Sequence, residues 1–199
     1  RTSIKPGIQL LSVKNKENSL FSLYYVFEFG RFSNLKLPEA VNLLQFSGTN
    51  KLNAEQIAKE FYSMACSFNV YAGNEQVYVS LSGPQEKFER ALSTLEHLLE
   101  NVQPDQAVLD LMISNELQER LDAKQSKYAI RNALSNYARF GKNNPQTWQL
   151  SSKKLKKLKA SDLTNEIHSL TSYPHTILYY GSLDSVALKQ YVGKYHKTP

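Results

Sequence analysis

The stretch 37–83 constrains the fold most, because its hydrophobic period changes from helical to strand-like within it. Pro38 to Phe46 predicts a first helix, since proline is tolerated in the first turn, and Gly48 ends it. A second helix is predicted after Asn53, whose side chain can cap it while Gln56 returns a hydrogen bond as in a capping box. The stretch therefore opens with two short helices.

A β-hairpin is predicted directly after these helices. Apolar residues alternate with polar or aromatic ones over Phe68–Ala72, the dipeptide Gly73-Asn74 is typical of a turn, and the alternation resumes at Val77. The order in this part of the chain is therefore helix, helix, hairpin.

The rest of the chain predicts further strands and helices around this segment. Residues 1–7 show little pattern, whereas Ile8–Lys14 and Leu20–Phe29 predict two strands, and Thr176–Tyr180 predicts a late one. Three long helices and two shorter ones complete the predicted elements. Together they predict an α+β fold, with a mostly antiparallel sheet of about five strands and helices packed on one face. We expect residues 1–199 to form a single domain that belongs to a longer multi-domain protein.

Apolar periodicity also predicts which side of two long helices faces the core. In the helix that begins near Pro104, and in the next one over Lys127–Phe140, the predicted inward residues are Val108, Leu111, Met112 and Leu121, then Ala129, Ala133, Leu134 and Tyr137.

This order of elements, ending its first helix in Phe46-Ser47-Gly48-Thr49, resembles the insulinase/pitrilysin family of zinc metallopeptidases, in the manner of mitochondrial processing peptidases. In that family the first helix carries HxxEH shortly before a phenylalanine and a Gly-Thr. At the family's spacing the two histidine positions are Glu39 and Leu43, and the general-base position is Asn42. A zinc site needs neutral imidazoles one turn apart and a carboxylate that takes a proton from the bound water. The resemblance therefore implies a non-catalytic domain that lacks HxxEH, with no catalytic residue, metal ligand set or cofactor of its own.

The resemblance implies a role beside an active partner. Glu116 or Glu119 lies where the family has its remaining zinc ligand, but alone it would bind nothing. The expected partner is an HxxEH-bearing half, on the same or a separate chain, which holds zinc and encloses a peptide substrate together with this one. Tyr24, Tyr25 and Phe27 are candidate peptide-contact residues on one strand, and core packing is the alternative interpretation of the same residues.

Charge raises a different set of alternatives. Much of the net charge of +6 comes from a lysine run that is interrupted by Leu155 and Leu158. Such a run is usually a solvated surface anchored by its leucines, and an acidic peptide, membrane-surface or phosphate contact is the alternative. Nucleic acid is not the expected partner, because no aromatic residue stands among these lysines. This basic surface consists of Lys153, Lys154, Lys156, Lys157 and Lys159.

Other enzyme chemistries find little support in the sequence. The four histidines are scattered, the single cysteine Cys66 has apolar neighbours, and no Gly-rich phosphate loop is present. No apolar run is long enough for a membrane span, and the compartment stays open, with a periplasmic or exported parent among the alternatives. A second functional hypothesis therefore remains, namely a scaffold or interaction domain of the same fold with no proteolytic role.

Overall fold

The structure is a computed structural model that describes residues 2–5 and 7–196. Within these residues, six strands form one sheet. In chain order they are β1 (Thr2–Lys5), β2 (Ile8–Lys14), β3 (Leu20–Phe27), β4 (Ser67–Ala72), β5 (Val77–Pro84) and β6 (His175–Gly181). The helices are α1 (Leu37–Leu44), α2 (Ala54–Ser63), α3 (Phe88–Asn101), α4 (Gln106–Ala123), α5 (Lys127–Phe140), α6 (Ser152–Leu155), α7 (Ala160–Leu170) and α8 (Ser185–Tyr195).

The sheet has the strand order β1-β2-β6-β3-β5-β4. Every pairing is antiparallel except that of β2 with β6, which is parallel. The late strand β6 therefore lies between two strands from the beginning of the chain. The predicted fold class, a mostly antiparallel sheet with helices, is confirmed, with one strand more than expected.

The core lies between the sheet and the helices. In β3 the residues of one face, Phe21 to Phe27 at every second position, are at most 1% exposed. The opposite face is more open, and Tyr24 is 41% exposed there. This alternation follows from the period of two in a strand, which sends successive side chains to opposite faces. None of the helices in the described part of the chain is long and apolar enough to cross a membrane.

Local capping explains why the segment around α1 and α2 folds as predicted. The Asn53 side chain accepts from the Gln56 backbone N–H, and the Gln56 side chain accepts from the Asn53 N–H, which completes the capping box at the start of α2. Gly141 ends α5 with a positive φ of 70°. Both predicted boundaries are confirmed.

The start of the chain differs from the prediction. Residues 1–7 are expected to lack regular structure, but Thr2–Lys5 form β1 and pair with β2. The backbone N–H and C=O groups of this short segment are satisfied by pairing with β2. The residue pattern of the segment alone does not indicate that partner strand. Arg1 and Pro6 lie outside the described residues.

The predicted inward faces of α4 and α5 are partly wrong. In α4 the buried residues are Leu109 and Ile113, whereas Leu111 is 63% and Leu121 is 53% exposed. In α5 none of the residues is buried, and Leu134 is 65% exposed. The apolar period of α5 is real, but this helix packs mainly against the short 3-10 turn 145–147, so its apolar side is exposed.

Candidate functional site

Helix α1 carries the positions that correspond to HxxEH. Leu43 is 1% exposed and belongs to the core, where α1 packs against α7 and β4. Asn42 faces solvent and Glu39 is half-buried on the same helix. The helix thus lies against the helices and the sheet, as the resemblance implies, but the second histidine position holds a hydrocarbon side chain directed into the core.

The Gly48-Thr49 pair that follows α1 has a structural role. A Cβ on Gly48 would lie 2.7 Å from the Leu52 carbonyl oxygen, so only glycine allows this approach. The Thr49 N–H donates to the same carbonyl oxygen at 2.7 Å, and the Gln103 N–H donates to the Gly48 carbonyl oxygen at 2.9 Å. This turn links the end of α1 to the start of α2 and to the end of α3. The tail of the motif is therefore explained by packing and hydrogen bonding, and it needs no metal.

Charged side chains surround Glu39. The pKa of the Glu39 carboxyl is raised to about 7, mainly by burial and also by the neighbouring Glu116 carboxylate, while Arg120 and Arg31 oppose both effects. Arg120 is already engaged: its Nε donates to Glu116 Oε1 at 2.7 Å and its Nη1 donates to the Leu150 carbonyl oxygen at 2.8 Å. The Arg120 guanidinium therefore neutralises the charge of the Glu116 carboxylate. Glu116 is one of the two residues that the resemblance suggests for the remaining zinc-ligand position.

These residues do not fit a zinc ion. Leu43 offers no donor atom, Asn42 is no general base, and the Glu116 carboxylate is held by Arg120. Glu119 is exposed one turn further along α4. In the residues that the structure describes, no group of three or more histidine, cysteine, aspartate or glutamate side chains is arranged to hold a metal ion.

The three candidate peptide-contact residues of β3 are separated by the pleat of the strand. Tyr25 is 1% exposed and Phe27 is 0% exposed, so the core-packing alternative describes them. Both side chains point to the helix-covered face and leave little surface for a peptide, so their contact with a peptide stays an untested prediction that burial does not favour. Only Tyr24, on the open face, has a side chain that a peptide could reach.

The structure also brings together two histidines that are 21 positions apart in the sequence. His175 Nε2 lies 3.0 Å from His196 Nε2, and His196 Nδ1 lies 2.9 Å from Glu96 Oε1. The Tyr25 hydroxyl donates to the same Glu96 oxygen at 2.5 Å. Glu96, His175 and His196 are all at least nine-tenths buried. These four side chains, from β3, α3, β6 and the end of α8, are called the buried network below.

Sequence reasoning missed this network because its members come from four separate elements. One signal was available: Glu96 falls on the apolar stripe of α3, four residues after Leu92 and three before Leu99. A carboxyl group on such a stripe needs a buried partner. The sequence offers no means of identifying which histidine supplies it.

The lysine run lies on the surface. Leu155 is 0% and Leu158 is 8% exposed, whereas the five lysines around them face solvent. The two leucines therefore anchor the short helix α6 and the turn after it to the core.

Together, the fold and the degenerate helix define the class of this chain: a domain with the architecture of a metallopeptidase domain, in which the motif positions hold Glu39, Asn42 and Leu43. The sequence model of the family described as Insulinase (Peptidase family M16) matches residues 40–149, which is more than half of the 199 residues. The chain belongs to this family, and the resemblance stated from Phe46-Ser47-Gly48-Thr49 is confirmed. A comparison with curated protein sequences found no significant match.

Solved structures share the fold. The inactive domain of an M16 peptidase from Pseudomonas fluorescens has a TM-score of 0.81 and 18% identity, over 98% of this chain and 49% of that one. The ferredoxin protease FusC, solved in complex with Arabidopsis ferredoxin, has a TM-score of 0.80 and 19% identity, over 94% of this chain and 21% of that one. The first half of the periplasmic protease PqqL from Escherichia coli has a TM-score of 0.74 and 13% identity, over 100% of this chain and 46% of that one. This chain spans half or less of the length of each.

Proposed function

We propose that this chain is a non-catalytic domain of an insulinase-type zinc metallopeptidase and forms part of a chamber that encloses a peptide opposite a zinc-bearing half. We also propose that it is one domain of a longer protein. The likeness to an inactive M16 domain and to one half of a protease, each about twice as long as this chain, supports both statements.

One observation carries the proposal. Helix α1 keeps the packing and the Gly-Thr turn of the motif region, yet Leu43 is buried at 1% exposure where an imidazole would be needed. A domain that completes an enclosure while a partner carries out catalysis needs the fold of this region but not its zinc ligands.

The open face of the sheet is the surface we assign to the peptide. Tyr24 is 41% exposed, Tyr71 is 58% exposed and Tyr180 is 40% exposed, all on the side away from the helices. A tyrosine offers a flat apolar ring and a hydroxyl that can bond to any peptide main chain. Such a face would hold an extended peptide with little preference for its sequence.

The test is reconstitution with an HxxEH-bearing half, sought on the same polypeptide or encoded beside it. Cleavage of an unstructured fluorogenic peptide should require both halves and zinc, and a chelator should abolish it. Tyr24→Ser should raise KM severalfold with little change in kcat, because it removes a binding contact and no reacting group.

Tyr62→Ser is the matched control, since Tyr62 is 88% exposed on α2, away from the sheet face. It should leave both constants unchanged. Equal activity of the zinc-bearing half with and without this chain would contradict the proposal. Absence of activity in every pairing would favour the scaffold alternative.

A further inference from the structure

Positive charge is concentrated in one continuous segment. Residues 123–161 contain ten lysines and arginines and no aspartate or glutamate, so the remaining 160 residues carry 14 cations against all 18 acids. The segment extends well beyond the lysine run, which supplies half of its cations. The others, in and around α5, are Lys124, Lys127, Arg131, Arg139 and Lys142.

Folding brings one cation from each group, Lys124 and Lys156, to one concave surface. A groove of about 1090 Å³ lies between α4, α5 and the turn 145–147, and a second groove of about 750 Å³ extends from the end of α4 to Lys156. Lys124, Thr147 and Gln149 line both grooves, which are therefore continuous. Lys156, from the lysine run, thus shares a surface with Lys124 at the end of α4 and with Arg31.

The wall of the larger groove is apolar and uncovered. Ile130 is 43%, Leu134 is 65% and Tyr137 is 62% exposed on the same side of α5. A helix of 14 residues is marginal in water unless its apolar face is packed. This face therefore has the features of a surface that gains stability from a bound partner.

An unsatisfied donor marks the far end of the same groove. Arg31 lines it, and the Arg31 Nε is buried with no hydrogen-bond partner among the described residues. A buried donor without an acceptor is costly, and a carboxylate oxygen from a ligand would satisfy it.

We propose that these joined grooves, called the basic groove below, bind an acidic polypeptide that also carries apolar side chains. Carboxylates of the partner pair with Arg31, Lys124 and Lys156 in the grooves, while its apolar residues pack on the Leu134 side of α5. The complementarity of charge and the apolar wall each match one part of such a partner. Binding needs neither zinc nor a second half, so the inference does not depend on the proposed role in a peptidase.

The observations favour a polypeptide over two other anionic partners. A phosphate backbone inside the larger groove would approach the carboxylates of Glu116 and Glu119, which line it. A flat bilayer surface would not reach the concave wall formed by Ile130 and Leu134. A polypeptide can place apolar residues beside that wall and acidic ones beside the cations.

The experiment measures binding of a short fluorescein-labelled peptide of glutamate, glycine and leucine by anisotropy, using the full chain. Affinity should fall as salt rises, and it should fall again when the leucines are replaced by serine or the glutamates by glutamine. Arg31→Gln, Lys124→Gln and Lys156→Gln together should weaken binding about tenfold, the combined effect expected of three partly exposed ion pairs. Leu134→Gln alone should weaken it severalfold.

The matched control replaces three exposed lysines outside the segment, Lys16, Lys51 and Lys189, by glutamine. This change alters net charge equally and should leave affinity within about twofold, because distant surface charges are largely screened. Thermal melts establish that every variant is folded. Equal loss in both triple variants would overturn the proposal. So would tighter binding of a single-stranded oligonucleotide or of phosphatidylserine vesicles than of the acidic peptide.

Discussion

Protonation of His175 is expected to destabilise the fold as the pH falls from 7 toward 4. Its Nδ1 lies 2.8 Å from the Tyr173 carbonyl oxygen, an acceptor only, so Nδ1 carries the proton in the neutral ring. Its Nε2 must then accept from the His196 Nε2 at 3.0 Å. A second proton on His175 would place two N–H groups against each other inside the core.

The size of the effect follows from the pKa. The pKa of His175 is lowered from 6.5 to about 4, mainly by burial and also by the neighbouring His196, while the bond to the Tyr173 carbonyl opposes both. The unfolded chain therefore binds a proton below about pH 6.5, whereas the folded chain binds it only near pH 4. The full contribution is present above pH 6.5 and is lost as the pH falls through this window. The loss amounts to about 2 kcal/mol between pH 7 and 5 and approaches about 3 kcal/mol below pH 4.

Urea unfolding of the wild type and of His175→Gln, followed by circular dichroism at several pH values, measures this contribution. The variant should be less stable at pH 7, and the difference should shrink by about 2 kcal/mol on reaching pH 5. Tyr25→Phe is the matched control. It removes the hydroxyl bond to Glu96 but leaves His175 in place, so its stability deficit should stay nearly constant with pH.

Glu39 acts in the opposite direction in the same pH range, so only differences between variants are diagnostic. If the difference in stability between the wild type and His175→Gln stayed constant from pH 7 to 5, the lowered pKa of His175 would be refuted.

Three further changes test other parts of the structure by urea unfolding. Glu39→Gln should raise the free energy of unfolding by about 1–2 kcal/mol at pH 8, because the partly buried carboxyl is ionised there. Near pH 4 the carboxyl is protonated in both the folded and the unfolded state, so the gain should be small. The same gain at both pH values would contradict the raised pKa. Leu43→Ala, a truncation in the core, should lower the free energy of unfolding by about 2–5 kcal/mol. Leu134→Ala, on the exposed face of α5, should change it by less than about 0.5 kcal/mol. A similar loss in both variants would mean that α5 is covered. Gly48→Ala should lower the free energy of unfolding by about 1–3 kcal/mol, because its Cβ would lie 2.7 Å from a carbonyl oxygen. Gly193→Ala, with open space around it in α8, should raise that free energy by up to about 1 kcal/mol. Stabilisation by both would show that the turn after α1 can relax.

Much of the secondary structure could be predicted because its causes are local. The capping box of Asn53 and Gln56 joins residues three positions apart, and the limits of α5 follow from its apolar period and from Gly141. The degenerate motif at Glu39, Asn42 and Leu43 could likewise be recognised, because the spacing of residues within one helix is a property of the sequence.

Contacts between distant elements could not be predicted in this way. The meeting of His175 and His196 requires β6 to enter the sheet beside β3 and α8 to end above it. The insertion of β6 between β2 and β3 depends on which strands pair, and many pairings satisfy the same alternation of residues.

The sequence by itself determined the local elements, the family and the absence of a motif histidine from α1, since each depends on residues close together in the chain. Only the tertiary structure decided which apolar faces are covered, that Tyr25 is buried while Tyr24 is open, and that Lys124 and Lys156 line one continuous groove. The physical reason is that periodicity shows where a helix or strand has an apolar side, whereas burial depends on whether another element packs against that side.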